Sequence, residues 1–497
     1  MRALFEDRRF WIGLLITGLL FHLHAAESMP LGLDTHLHAV YVTDGIADGE
    51  ADLEWGPVRP DAPDGSTPSE VSADGRWSLW HTWMEAWIRL LGPSTDTLHT
   101  MGLVTGIAAL VTVFFCTRGL WGAENALRLT ALASIYPPLI RSVGRGYQEG
   151  AVLLFIALAF TALVLGDRQR RAGKPPLWWM ATILCIAAIL NLKGMPLQAT
   201  WGAAALLGVW PSVEGRLNDL NSQQRLAIFG LASLAMMVLV LLRNGVEIES
   251  NLGPMLGAWL LAVLLVVFVF VFAGMGLIGR REASMEGEAA LLRDAGLLGL
   301  GLITGYVAAL WVVEAHALDL GLWDIFVPFR FNPRYASLLI LPLWWAWMAR
   351  DGEAAILPDE GREILFAVII AILLLLNAHI LSATGPRGME VIGADLANEV
   401  EDGDEILYVA PAPLAMHRLY SMHLTLDPDN DRDIIAHWRA PDSNWQAELE
   451  DCDALGNVHY VLIDPNADVD GAYTDSNRDY SLGLEDEWAI HHARDRC

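Results

Sequence analysis

Hydrophobic and polar positions fall in long blocks along this chain. Residues 11–23, 98–115, 151–165, 178–192, 226–242, 255–278, 295–313 and 364–380 are almost continuously apolar, and weaker runs occupy 126–140, 196–209 and 336–348. A helix rises about 1.5 Å per residue, so roughly 20 apolar residues cross the hydrocarbon core of a bilayer. Inside that core every backbone polar group must be satisfied within its own segment, which makes such runs helical. The pattern predicts an α-helical polytopic membrane protein with about eleven transmembrane helices. The first run lacks a clean small-x-small ending, which favours a span over a removed signal peptide.

Two stretches break the pattern. In the 27–97 loop, "GPVRPDAPDGSTPSEVSADGR" is rich in Pro, Gly and Asp and reads as a loop, whereas "WSLWHTWMEAWIRLLG" places Trp77, Trp80, Trp83 and Trp87 at helical spacing. That is the pattern of an amphipathic helix lying at headgroup depth. From 383 to 497, "EILYVA" and "HYVLIDP" have strand composition, and "PLAMHRLYSMH" and "SNWQAELED" suit helices. The expected division is a transmembrane part, 1–382, carrying the 27–97 loop, followed by a small soluble α/β domain, 383–497. No nucleotide-binding loop or catalytic triad pattern is present in the latter.

Composition agrees and adds a polarity. The 497 residues are 54% hydrophobic, beyond the usual range of soluble proteins. The net charge of -27 is uneven: residues 27–76 hold eleven Asp and Glu against two Arg, and 383–497 is also acidic. An acidic chain with only two lysines, Lys174 and Lys193, is unsuited to nucleic acid. Counting spans from a cytoplasmic N-terminus puts "DRQRRAGK" and "GRRE" on the cytoplasmic side, as the positive-inside rule requires. The 27–97 loop and the C-terminal domain then lie on the outer face of the plasma membrane. Cys116 and Cys185 fall in apolar runs; Cys452 and Cys497 fall in the C-terminal domain, where an oxidising compartment would let them pair.

Charges beside apolar spans are costly and mark functional candidates. On the expected outer side these are Asp34, Arg141, Arg145 and Glu149 in "YPPLIRSVGRGYQEGAVLLF", Lys193 in "NLKGMP", and Arg330 and Arg334 in "VPFRFNPRYASLL". Each alone is consistent with an ordinary interfacial residue; their concentration on one face is the signal. Arg binds a phosphate by paired hydrogen bonds and Lys as a point charge. The carboxylates can act as general base or hold a divalent metal. His36 and His38 follow Asp34 at i+2 and i+4. Asp34 and His38 share a face on a helix, and all three do so in an extended segment. Asp34, His36 and His38 are therefore a candidate metal set, weighed against plain interfacial histidines.

Three stretches resemble the GT-C glycosyltransferases, in the branch of protein O-mannosyltransferases and bacterial aminoarabinose transferases. "GLDTHLHAVY" is similar to the acidic motif opening that family's first outer loop. The stretch from "SLWHTWMEAWIRLLG" to "IRSVGRGYQEGAVLLF" follows its amphipathic outer helix, next two spans and second outer loop. "LKGMP" and "PRYASLLILP" resemble its Lys-Gly and Arg-Tyr motifs. The likeness covers about residues 10–200 and 330–345. It implies a hexosyl or pentosyl transferase moving sugar from a polyprenyl-phosphate donor to a protein or lipid acceptor. Asp34 and Glu149 take the catalytic positions; Arg145, Lys193, Arg330, Arg334, Tyr335 and His81 take the substrate and lipid-phosphate positions. No cofactor is required by this set, and a divalent metal ion is the candidate addition.

The chain departs from the family pattern at Asp34-Thr35, where Asp-Glu is usual, and at His81, which lacks following prolines. The Trp-Trp-Asp-Tyr-Gly signature is absent, which disfavours transfer of a whole oligosaccharide to asparagine. A transporter is the alternative, although no internal repeat supports it. A non-catalytic scaffold displaying the C-terminal domain is the third reading.

Overall fold

The computed structural model describes residues 2–47, 78–218, 220–272, 288–317, 321–323, 333–348, 356–382, 388–411, 415–452, 454–464, 467–469, 479–481 and 487–492. Where the structure describes them, the apolar runs are largely helical. Seven described helices are long and apolar enough to cross a membrane: Arg8–Ser28, Thr95–Ser134, Glu149–Arg171, Gln223–Arg243, Leu252–Val271, Ala290–His316 and Glu363–Ser382. Trp178–Leu192 and Tyr335–Trp345 are apolar but shorter. Two features bear on how these spans, counted among the described residues, compare with the expected eleven. Run 98–115 and the first part of run 126–140 lie in Thr95–Ser134, which is broken at Gly122, whose φ of 84° a side chain would oppose; the rest of run 126–140 enters the short helix Pro137–Gly144. Run 196–209 lies in Ala199–Asn218, which carries Pro211 and a polar last turn.

The chain divides into two compact units, Met1–Glu27 with Gly102–Ala383, and Ser28–Met101 with Thr384–Cys497. The described residues 28–47 and 78–101 group with the C-terminal segment.

In the first unit, small residues let helix backbones approach, as suits a medium where apolar burial gives no drive between helices. A Cβ on Gly301 or Gly305 would lie 2.7 Å from the Phe229 carbonyl oxygen or 2.0 Å from that of Ser233. Helix Glu288–Ala317 thus packs closely on Ser222–Arg243. Gly166 accommodates the Trp179 ring, whose Nε1 donates to the Leu163 carbonyl at 3.2 Å. At the C-terminal end of helix Glu149–Arg171, buried Asp167 accepts from Arg170 and Arg171, which also reach Glu214 of the Ala199–Asn218 helix.

In the second unit, a five-stranded sheet has the order β2-β1-β3-β5-β4. Strands β1 (Glu405–Val409), β2 (Ile435–Arg439) and β3 (Val458–Ile463) are parallel; β5 (Glu487–His492) runs antiparallel to β3 and to β4 (Asp479–Ser481). Alternate residues serve opposite faces. Ile406, Tyr408, Ala436, Tyr460 and Leu462 pack under helices Gly388–Leu396 and Ala415–Leu426, while Leu407, Val409, Val461 and Ile463 pack on Trp445 and Leu449. Helix Leu33–Ala47 joins the first layer through Val40 and Tyr41. Asn430 Nδ2 donates to Asp44 at 2.8 Å, tying its far end down. Cys452 is disulfide-bonded; its expected partner Cys497 lies outside the described residues.

Candidate functional site

The first unit brings together three of the residues singled out from sequence. Glu149 is the first residue of helix Glu149–Arg171, and Lys193 caps the end of Trp178–Leu192. The carboxylate thus sits at a helix N-terminus and the ammonium at a helix C-terminus, the favourable placement for each sign of charge. Lys193 Nζ donates to Glu149 Oε1 at 2.7 Å, with 9% and 1% of the two side chains exposed. The same ammonium lies 5.7 Å from the centre of the Tyr335 ring, within range of a cation–π interaction. Tyr306 meets Tyr335 edge to face at 6.5 Å. Gly194, at φ 59°, turns the chain immediately after Lys193.

Glu149 is delivered by a tightly seated turn. Pro137 begins the short helix Pro137–Gly144, where its missing N–H leaves no donor unsatisfied. Arg145 closes that helix, half-buried, its N–H donating to Arg141 O at 3.1 Å. Tyr147 N donates to Ser142 O at 2.9 Å and folds the chain back toward Glu149. This turn rests on Gly102 and Gly106 of helix Thr95–Ser134. A Cβ on Gly102 would stand 2.7 Å from Val143 O, and one on Gly106 would stand 2.3 Å from Val143 Cγ2. Arg334 has its backbone in helix Pro333–Met348 beside Tyr335; its side chain, and all of Arg330, lie outside the described residues.

The second unit holds the histidines. Asp34 lies half-buried in the first turn of helix Leu33–Ala47. His36 is fully buried, with Nδ1 2.9 Å from Gly32 O and Nε2 2.6 Å from Glu390 Oε1. A carbonyl can only accept, so Nδ1 carries a proton, and a further proton is held between Nε2 and Glu390. His38 Nδ1 stands 2.9 Å from His81 Nε2. Ser78 N donates to His81 Nδ1 at 3.0 Å, and His81 N donates to Ser78 Oγ at 3.3 Å, a reciprocal cap on helix Leu79–Leu91. That bond leaves the His81 proton on Nε2, so His81 donates to His38. Burial, reinforced by His38, lowers the His81 pKa to about 3, so the ring is neutral.

The metal set Asp34, His36 and His38 does not fit a cation. Both nitrogens of His36 are engaged, leaving no lone pair for a metal, and His38 is turned to His81. Among the described residues no group of three or more His, Cys, Asp or Glu is placed to hold a metal ion. Glu390 was not anticipated from sequence: nothing local links it to a histidine 354 residues earlier.

No protein-family model matches the chain, and no curated protein matches it. Among solved structures it is similar to ArnT of Cupriavidus metallidurans bound to undecaprenyl phosphate, with 13% identity over 97% of this chain and 98% of that one, at a TM-score of 0.39. The apo form of that protein gives a TM-score of 0.38. The archaeal oligosaccharyltransferase AglB of Archaeoglobus fulgidus, in complex with an inhibitory peptide and a dolichol-phosphate, is similar at 15% identity over 93% of this chain and 70% of that one, with a TM-score of 0.37. Both are GT-C glycosyltransferases. Likenesses at this level assign no residue a role.

Proposed function

We propose that this chain is a GT-C-type membrane glycosyltransferase that moves one sugar from a polyprenyl-phosphate carrier to a protein or lipid acceptor on the outer face of the plasma membrane. The observation that carries this reading is the buried Lys193–Glu149 pair under Tyr335, at the motif positions where the sequence resembles that family. In the reaction the bond between the sugar's anomeric carbon and the phosphate oxygen breaks, and one to the acceptor oxygen forms. The phosphate leaves with a full negative charge, and fixed cations aimed at that charge lower the barrier. Lys193, Arg145 and Arg334 take this role, with Arg330 as a further phosphate contact. Glu149 holds the Lys193 ammonium in place. Asp34 accepts the acceptor's proton or positions the acceptor, and His81 is a further substrate contact. The chemistry proceeds by charge neutralisation and proton transfer on these side chains.

The test is sugar transfer in vesicles from a polyprenyl-phosphate-linked donor. Asp34→Asn and Glu149→Gln are each expected to reduce turnover at least 100-fold, the scale of one general-base or electrostatic contribution. Wild-type rates in both variants would overturn the assignment. Substrate uptake without covalent transfer would establish the transporter reading instead.

A further inference from the structure

The C-terminal sheet carries a feature that the transfer chemistry does not use. From β1 the chain crosses to β2 through helix Ala415–Leu426, on the face formed by Ile406, Tyr408 and Leu462. From β2 it returns past β1 to β3 through Trp445–Glu448, on the opposite face formed by Leu407, Val409 and Ile463. The first connection carries the chain to one side of β1 and the second brings it back to the other side. In open parallel sheets this reversal opens a crevice at the carboxyl ends of the strands, here between β1 and β3, and ligands bind there.

The residues at that edge form a charged cluster. Asp464, the residue after β3, is fully buried, and its N–H donates to Val409 O at 2.9 Å. Tyr408 OH donates to Asp464 Oδ2 at 2.7 Å. Arg418, in the second half-turn of helix Ala415–Leu426, donates from Nη1 to the same carboxylate oxygen and lies 3.5 Å from Tyr408 OH. Yet 38% of the Arg418 side chain is exposed. Among the described residues its guanidinium is engaged through Nη1 alone. Arg439, at the end of β2, is the contrast: its Nε and Nη2 both meet Glu448 at 2.8 Å, and Nη1 donates to Trp438 O at 2.9 Å. One arginine at this edge has a closed fork. The other is fixed by a buried carboxylate at one corner and presents its remaining donors outward.

We infer that Arg418, oriented by Asp464 and Tyr408, forms an oxyanion-binding site of the phosphate class at the β1/β3 crevice of the C-terminal unit. The planar fork suits a tetrahedral oxyanion. In an acidic chain of net charge -27 such a site is a local exception to repulsion of anions.

The experiment is equilibrium dialysis of the full chain in nanodiscs against radiolabelled inorganic phosphate, reading stoichiometry and affinity. The paired variant Arg418→Met with Asp464→Asn removes both charges together, so neither is left buried alone. It is expected to bind one phosphate fewer than wild type, whereas Lys193→Met with Glu149→Gln, altering the other unit, retains this site. Arg418→Lys keeps the charge and loses the fork; its affinity at this site is expected to fall at least tenfold. Equal stoichiometry in wild type and the paired variant overturns the inference. If the paired variant does not fold, unchanged affinity in Arg418→Lys overturns it equally.

Discussion

Lys193 and Glu149 are both nearly inaccessible, so each depends on the other. Removing one partner leaves a buried, uncompensated charge, at about 3–5 kcal/mol. Lys193→Met is therefore expected to destabilise the protein by that amount, and Lys193→Met with Glu149→Gln to recover most of it, measured by thermal unfolding in nanodiscs. A second residue-scale effect is pH dependence in the other unit. His81 and His423 have folded pKa values of about 3, both lowered first by burial, against an ordinary 6.5. The unfolded chain binds protons below pH 6.5 while the folded rings stay neutral, so stability falls as pH drops from 6.5 toward 3. The slope is at most about 1.4 kcal/mol per pH unit for each ring. His81→Gln keeps a capping-box residue and removes one titration, so its stability profile should flatten over that window. Glu149 and Lys193 were legible in sequence because charges beside apolar runs need a reason. The Glu390 partner of His36 and the Asp464–Arg418 cluster were not, because only tertiary pairing across long separations makes them neighbours.

At the scale of elements, the turn that carries Arg145 and Glu149 is located by two glycines on a neighbouring helix. Gly102→Ala would force a Cβ to 2.7 Å from a backbone oxygen, which must move. Transfer should fall at least tenfold, since a displacement of about 1 Å can cost that much and more in a positioned site. Membrane insertion and expression should be retained, as read by size-exclusion chromatography and donor binding. Apolar runs gave up their helices readily, because period and length suffice for a membrane segment. Where helix Thr95–Ser134 breaks was legible too: the break at Gly122 falls between runs 98–115 and 126–140, where the apolar pattern lapses and a glycine supplies the backbone conformation a stop requires. Helix Leu33–Ala47 was not legible: the spacing of Asp34, His36 and His38 left helix and extended segment open, and the residues that cover Val40 and Tyr41 come from the far end of the chain.

For the whole molecule, the uneven charge predicts an orientation. With the N-terminus cytoplasmic, a cysteine introduced at Ala172, beside the Arg168–Arg171 cluster, should react with an impermeant maleimide only after the membrane is opened. One introduced at Gly456 should react in intact cells. The reverse pattern would invert the orientation. The packing of Val40 and Tyr41 beneath Ile392, Leu419 and Tyr408 has a further result, in time rather than space. Those partners are synthesised about 350 residues later, a delay of roughly 20–70 s at 5–20 residues per second. Throughout that interval the ribosome has released the Asp34 helix but not the surface that will cover it. Biogenesis must therefore shelter an apolar helix face until β1 to β3 emerge, and a stalled or shortened product would present that face to quality control.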